Sequence, residues 1–240
     1  MNRQAQAAVM FLVGAALVHA GATDLYLRYV KAGLRPLLLA AGAVLIVSAL
    51  ATAWYEWRRS RRHTPASTEQ THPEPRISWL LVLPLLALIL IAPPALGSYS
   101  AMRAGTALQQ PYGYTKLPTG DPIPLNLVDY AGRAVYDHGR SLDGHSVRIT
   151  GFVAVDTAGT PYLVRMALNC CAADAQPVKV ALTGKIPPVL QPDAWLQVTG
   201  TYTTRQTHDP VNGGPIPFLT VTEAKPIPTP ADPYDETWNN

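Results

Sequence analysis

Cysteine is almost missing from this chain: 240 residues contain two, Cys170 and Cys171, side by side. Neighbours cannot tie distant segments together, so a disulfide framework is excluded and the compartment has to be read from topology. Charge is scarce too. Only 15% of residues are Asp, Glu, Lys or Arg against 48% hydrophobic, a balance that leans away from an ordinary soluble protein. Residues 1–102 carry nine basic and four acidic side chains, net +5, whereas residues 103–240 carry ten and twelve, net −2. The basic surplus therefore lies beside apolar runs and not on a folded cationic face, which argues against a nucleic-acid partner. No phosphate loop, Ser-His-Asp spacing or paired-carboxylate arrangement is present, so no enzyme is expected. No internal repeat is visible.

What is abundant is uncharged apolar sequence near the N-terminus. Gln4 to Thr23 contains no charged residue, long enough to span a hydrocarbon core of about 30 Å, for which about 20 apolar residues suffice. A signal peptide with a cleavage site at Ala20-Gly21-Ala22 is the competing reading, disfavoured because a second run, Pro36 to Tyr55, follows after a dozen residues. That run closes on Trp54, Tyr55 and Trp57 and then Arg58, Arg59, Arg61 and Arg62, the pattern of a span ending on the cytoplasmic side. Residues 1–57 thus read as a transmembrane hairpin and 58–76 as a cytoplasmic linker. A third uncharged stretch, residues 77–102, reads as another span, bent at Pro84 and ending near Pro93. Five arginines between Trp54 and Arg76, against two and one lysine between Asp24 and Arg35, place the N-terminus inside and residues from about Ser98 onward outside. The expected location is the cell membrane, multi-pass, with an extracytoplasmic C-terminal domain.

Beyond the membrane, Asn126 is positioned to cap a helix over 127–137, with Leu127, Tyr130, Ala131, Ala134 and Val135 on one face. The period then becomes two: in 145–155, Val147, Ile149, Gly151, Val153 and Val155 alternate with Arg148, Thr150 and Ala154. Further strands are expected at 162–167, 178–182, 195–202 and 218–223. Five short strands behind one helix suggest an OB-like barrel over 103–225, followed by a Pro-rich tail, 226–240, lying along its surface.

The segment Arg165-Met166-Ala167-Leu168-Asn169-Cys170-Cys171-Ala172-Ala173-Asp174-Ala175 resembles the signature of an uncharacterised bacterial family of permease subunits, the smaller partner of a two-component membrane permease. Gly144-x-x-Val147-x-x-x-Gly151-Phe152-Val153, Trp195 to Gly200, the turn Tyr26 to Pro36 and Pro233-Tyr234 extend the similarity to nearly the whole chain. The resemblance implies an accessory subunit that works with a larger multi-helix permease, and it carries an association with zinc homeostasis. The alternative is a membrane-anchored docking or assembly module whose cysteines are structural.

Three readings of the cysteines stand open. If Cys170 to Asp174 forms a helical turn, Asp174 approaches both sulfurs and the three make a zinc site, with a fourth position for water or for His138, His145 or His208. The pair could instead be small buried hydrophobes, or a strained vicinal disulfide acting as a redox switch. Elsewhere, His19 is a candidate for a helix or partner interface, and Arg28, Lys31 and Arg35 for lipid headgroups. Arg165 is expected to pair with Asp174 or Asp156, and Trp195 to lie in the core.

Overall fold

The structure is a computed structural model that describes residues 3–62, 83, 86–87, 90–91 and 94–236. It divides into two compact units: one built from Met1–Tyr26 and Ala32–Pro94, the other from Leu27–Lys31 and Ala95–Asn240.

Among its described residues, the first unit contains a helical hairpin. Helix α1, Arg3–Ala22, and helix α2, Arg35–Arg62, are both long and apolar enough to cross a membrane. They meet through small residues: Ala7, Gly14 and Gly21 of α1 are buried seven apart, and Ala49 is buried on α2. A Cβ on Gly14 would stand 2.8 Å from the Gly42 carbonyl oxygen, so the two backbones approach closely only because both positions are glycine. Arg3 bridges to Glu56 at 2.8 Å at one end of the pair. At the other end, Arg35 Nε donates to the Gly21 carbonyl at 2.8 Å and its guanidinium lies 5.8 Å from the Tyr26 ring. Arg35 therefore satisfies a carbonyl at the C-terminus of α1, beyond the headgroup role expected for it.

Of the expected third span, residues 77–82 and much of the run to Pro93 lie outside the described residues, as does the linker from residue 63 to 76. The last part, Ala95–Met102, belongs to the second unit, where Ser98–Arg103 forms a short helix, α3, with Ala101 fully buried.

The second unit is mainly β. In chain order it comprises β1 (Ile123–Pro124), helix α4 (Leu127–Tyr136), β2 (Ser146–Val155), β3 (Pro161–Leu168), β4 (Gln176–Gly184), β5 (Trp195–His208), β6 (Pro215–Ile227) and β7 (Tyr234–Glu236). Pairings β2–β5, β5–β6, β6–β4, β4–β3 and β3–β2 close a five-strand ring, all antiparallel except β4 with β6. Closure turns on β2, which pairs with β5 from Ser146 to Phe152 and with β3 from Phe152 to Val155. Gly151 sits at that change of partner, where a Cβ would come within 2.7 Å of the Val164 carbonyl oxygen.

The alternation of strand residues builds two apolar layers. Val147, Ile149, Val153, Leu163, Val178, Val180, Leu182, Leu196 and Val198 fill one cluster with α4. The residues of opposite parity, among them Phe152, Ala154, Val164, Met166 and Ala181, join a second cluster covered by Ala101 and Tyr234. Asn126 caps α4 as expected, its Oδ1 accepting from the Asp129 amide at 2.6 Å, a bond worth about 1 kcal/mol.

The C-terminal tail departs from expectation. It does not merely lie along the surface: Tyr234–Glu236 adds a parallel strand to β3, with Tyr234 and Asp235 buried. Prolines at 226, 228, 230 and 233 signal extended chain but carry no information about return to a sheet.

Candidate metal centre

Strand β3 ends at Leu168, and the chain reaches β4 through Asn169–Ala175, the segment that holds both cysteines. Helical geometry is confined to a single 3-10 turn, Ala172–Asp174, with Cys171 before it in extended conformation at φ −154 and ψ 169. The expected helical turn starting at Cys170 is thus corrected: the turn begins two residues later. It still returns the Asp174 carboxylate to the loop's start, where Oδ1 accepts from the Asn169 amide at 3.1 Å and Oδ2 from the Cys170 amide at 2.9 Å. The Asp174 amide in turn donates to the Cys171 carbonyl at 3.0 Å.

Both thiols are free, with Cys170 exposed and Cys171 partly buried. That removes the reading in which the two are buried core residues. The two Sγ atoms and a carboxylate oxygen of Asp174 all lie within 4.8 Å of one another. Two sulfurs about 2.3 Å from a tetrahedral zinc stand ~3.8 Å apart, so a contraction of no more than about 1 Å would bring this set into ligating distance. Two soft thiolates and one carboxylate suit a thiophilic divalent ion and leave a fourth position to solvent or a partner. No histidine belongs to the cluster among the described residues, so the sequence-based choice of His138, His145 or His208 as fourth ligand finds no support.

Electrostatically the cluster shares protons. Although partial burial opposes it, hydrogen bonds from the Cys170 thiol and from the amides of Cys170, Asn169 and Cys171 hold the Asp174 carboxyl below the usual carboxylate range. The Cys170 thiol, hydrogen-bonded to Asp174 and then to Cys171, is pushed up to about 11. A bound cation would replace the proton that the thiol shares with the carboxylate.

A second segment reaches this loop, one that sequence reasoning missed. Val30 forms an isolated antiparallel bridge with Cys171: the Lys31 amide donates to the Cys170 carbonyl at 3.1 Å, and the Ala172 amide donates to the Tyr29 carbonyl at 2.8 Å. No local motif in Tyr29–Lys31 announces this pairing, because main-chain bonds are available to any residue but proline.

The other candidates fall elsewhere. Arg165 pairs neither with Asp174 nor with Asp156 but with Asp235, Nε to Oδ1 at 2.8 Å. Asp156 is occupied by its own loop, accepting from the amides of Ala158 and Thr160 at 2.9 and 2.7 Å. Trp195 is buried as expected, edge-on to Phe152 at 5.8 Å and 5.1 Å from the Arg165 guanidinium. His19 is exposed on α1. A further ion pair, Lys179 with Asp209 at 2.7 Å, is fully buried. Lys179 also donates to the Ala104 carbonyl and Asp209 accepts from the Thr106 amide, which pins the irregular segment 104–106 against the sheet.

No curated protein and no solved structure matches the chain. Residues 120–235, which hold the whole five-strand ring and the Cys170, Cys171 and Asp174 cluster, match the DUF1980 C-terminal domain, an uncharacterised family.

Proposed function

We propose that this protein is a membrane-anchored accessory subunit of a permease, whose OB-like domain takes up a thiophilic divalent cation such as zinc at Cys170, Cys171 and Asp174 and presents it to a larger multi-helix partner. The observation that carries the reading is the convergence of two free, accessible thiols and a carboxylate within 4.8 Å. Three protein ligands with a fourth position open suit a site that must release its ion, whereas structural zinc sites close all four. The ring order, β2-β3-β4-β6-β5 and back to β2, with β4 and β6 parallel, supports the OB-like assignment. Two apolar helices support the anchor, and their sparse charge favours a partner for any transport path.

The test is metal analysis of the full-length protein in detergent, wild type against the double variant C170S/C171S. About one bound zinc, lost in the variant, is the expected result. Near-zero metal in both would leave the anchored docking module. A reporter fused after residue 110 should read extracytoplasmic, and a cytoplasmic signal would remove the proposed orientation.

A further inference from the structure

Three main-chain residues on the turn after α1 meet the thiol loop on both sides of the peptide that joins its cysteines. The Cys170 carbonyl, one half of that peptide, accepts from the Lys31 amide at 3.1 Å, and the next amide, of Ala172, donates to the Tyr29 carbonyl at 2.8 Å. The peptide is trans and Cys171 is fully extended. In this form the sulfurs sit close enough to share one ion.

Consecutive Cα atoms across a trans peptide are 3.80 Å apart, whereas disulfide-linked residues usually stand 4.4–6.8 Å apart. That Cα spacing does not change when the peptide plane rotates; what must change is side-chain direction. Successive side chains of an extended chain point to opposite faces, whereas a disulfide needs its two Cβ atoms about 3.5–4.5 Å apart, so closing a bond between Cys170 and Cys171 turns the intervening peptide out of its extended form. That rotation carries the Cys170 carbonyl away from the Lys31 amide. The bridge and the vicinal disulfide compete for one peptide unit.

We propose that Tyr29–Lys31 is a backbone clamp of the thiol site: it fixes the Cys170–Cys171 peptide in its extended form, keeping the pair as a dithiol that ligates a thiophilic divalent cation and withholding it from oxidation. The ligand named here rests on the metal reading above; the protection from oxidation does not. By linkage, an ion that pins the two sulfurs also pins the turn, and oxidation frees it. Against a small disulfide such as oxidised glutathione, one Cys thiolate attacks a glutathione sulfur and expels one glutathione thiolate. The neighbouring thiolate then attacks the protein sulfur of the mixed disulfide, closes the intramolecular bond and expels the second. Two thiol protons leave the protein and two electrons pass to glutathione.

The test uses full-length protein in detergent. Lys31→Pro removes the donated N–H, and a residue held in an antiparallel bridge already has the extended backbone that a following proline favours. Lys31→Ala keeps the N–H and removes only the side chain. Zinc affinity, from competition with a chromophoric chelator, should fall about fivefold in K31P and stay at the wild-type value in K31A. The two-electron oxidation of the pair by oxidised glutathione, followed by mass, should be faster in K31P alone. Equal affinities and equal oxidation rates in all three proteins would overturn the clamp. Absence of zinc binding in the wild type would sink the metal reading, while the oxidation rates still decide this one. Should K31P fail to fold, hydrogen exchange in the wild type replaces it: the Lys31 amide should exchange faster after oxidation of the pair, and unchanged exchange would overturn the proposal.

Discussion

Arg165 and Asp235 lie 70 positions apart and meet at 2.8 Å, both side chains largely buried. The same Asp235 carboxylate accepts, through its other oxygen, the amides of Leu127 at 3.1 Å and Val128 at 3.3 Å, the first turn of α4. One side chain from the C-terminal strand therefore joins β3 to the capping helix, and its charge is favourable at a helix N-terminus.

Asp235→Ala should destabilise the β unit by about 3 kcal/mol, since it leaves two helix amides without their acceptor and the buried Arg165 guanidinium without its counter-charge, held only by the Asp232 and Tyr234 carbonyls. Thermal unfolding followed by far-UV circular dichroism measures it. A loss under about 1 kcal/mol would mean that water replaces the carboxylate.

Lys179→Met should cost a similar amount, about 3 kcal/mol, because the buried Asp209 side chain then loses its cationic partner and keeps only amide donors. Adding Asp209→Asn to that variant should recover part of the loss by removing the unpartnered carboxyl. A double variant less stable than K179M alone would show that the amide contacts to Thr106 and Val211 outweigh the ion pair.

The turn between β2 and β3 should loosen in acid. Burial opposes ionisation of Asp156, but the amides of Thr160 and Ala158 and the Tyr162 hydroxyl hold its carboxyl below the ordinary carboxylate range. A depressed folded-state pKa contributes stability that is fully present above the unfolded pKa and is lost as pH falls through the folded one. Protection of the Ala158 and Thr160 amides from hydrogen exchange, corrected for intrinsic rates, should accordingly fall away as the pH drops below the usual carboxylate range. Asp156→Asn should flatten that dependence.

Gly14→Val should weaken the α1–α2 hairpin by about 1–3 kcal/mol, because even its Cβ collides with the Gly42 main chain. Gly33→Ala, where an added Cβ meets nothing within 4 Å, is the matched control. Thermal inactivation of hairpin packing in detergent, read by Trp54 and Trp57 fluorescence, should separate the two.

How far the chain could be read without its fold follows from which interactions are local. The two apolar helices, the Asn126 cap and all five ring strands were legible, because helix caps and period-two alternation are written within a few residues. Strand ends were not: β5 runs six residues past the expected Tyr202, through an irregular register against β6 that no alternation records. Cys170, Cys171 and Asp174 were nameable as candidates from residue type and spacing together with the family resemblance. Their mutual approach was reached for the wrong local reason, since a 3-10 turn after Cys171, and not a helical turn from Cys170, returns the carboxylate.

Residue order alone therefore determined what each segment prefers and which donor atoms it offers: two greasy helices, short alternating strands, and a Cys-Cys-Ala-Ala-Asp loop. Tertiary structure decided the partners: Asp235 for Arg165, Asp209 for Lys179, and the Val30 bridge for Cys171. The reason is physical. Propensity and periodicity act over a few neighbouring residues, whereas an ion pair or a main-chain bridge between distant segments exists only once the closed ring has brought their backbones within hydrogen-bonding reach.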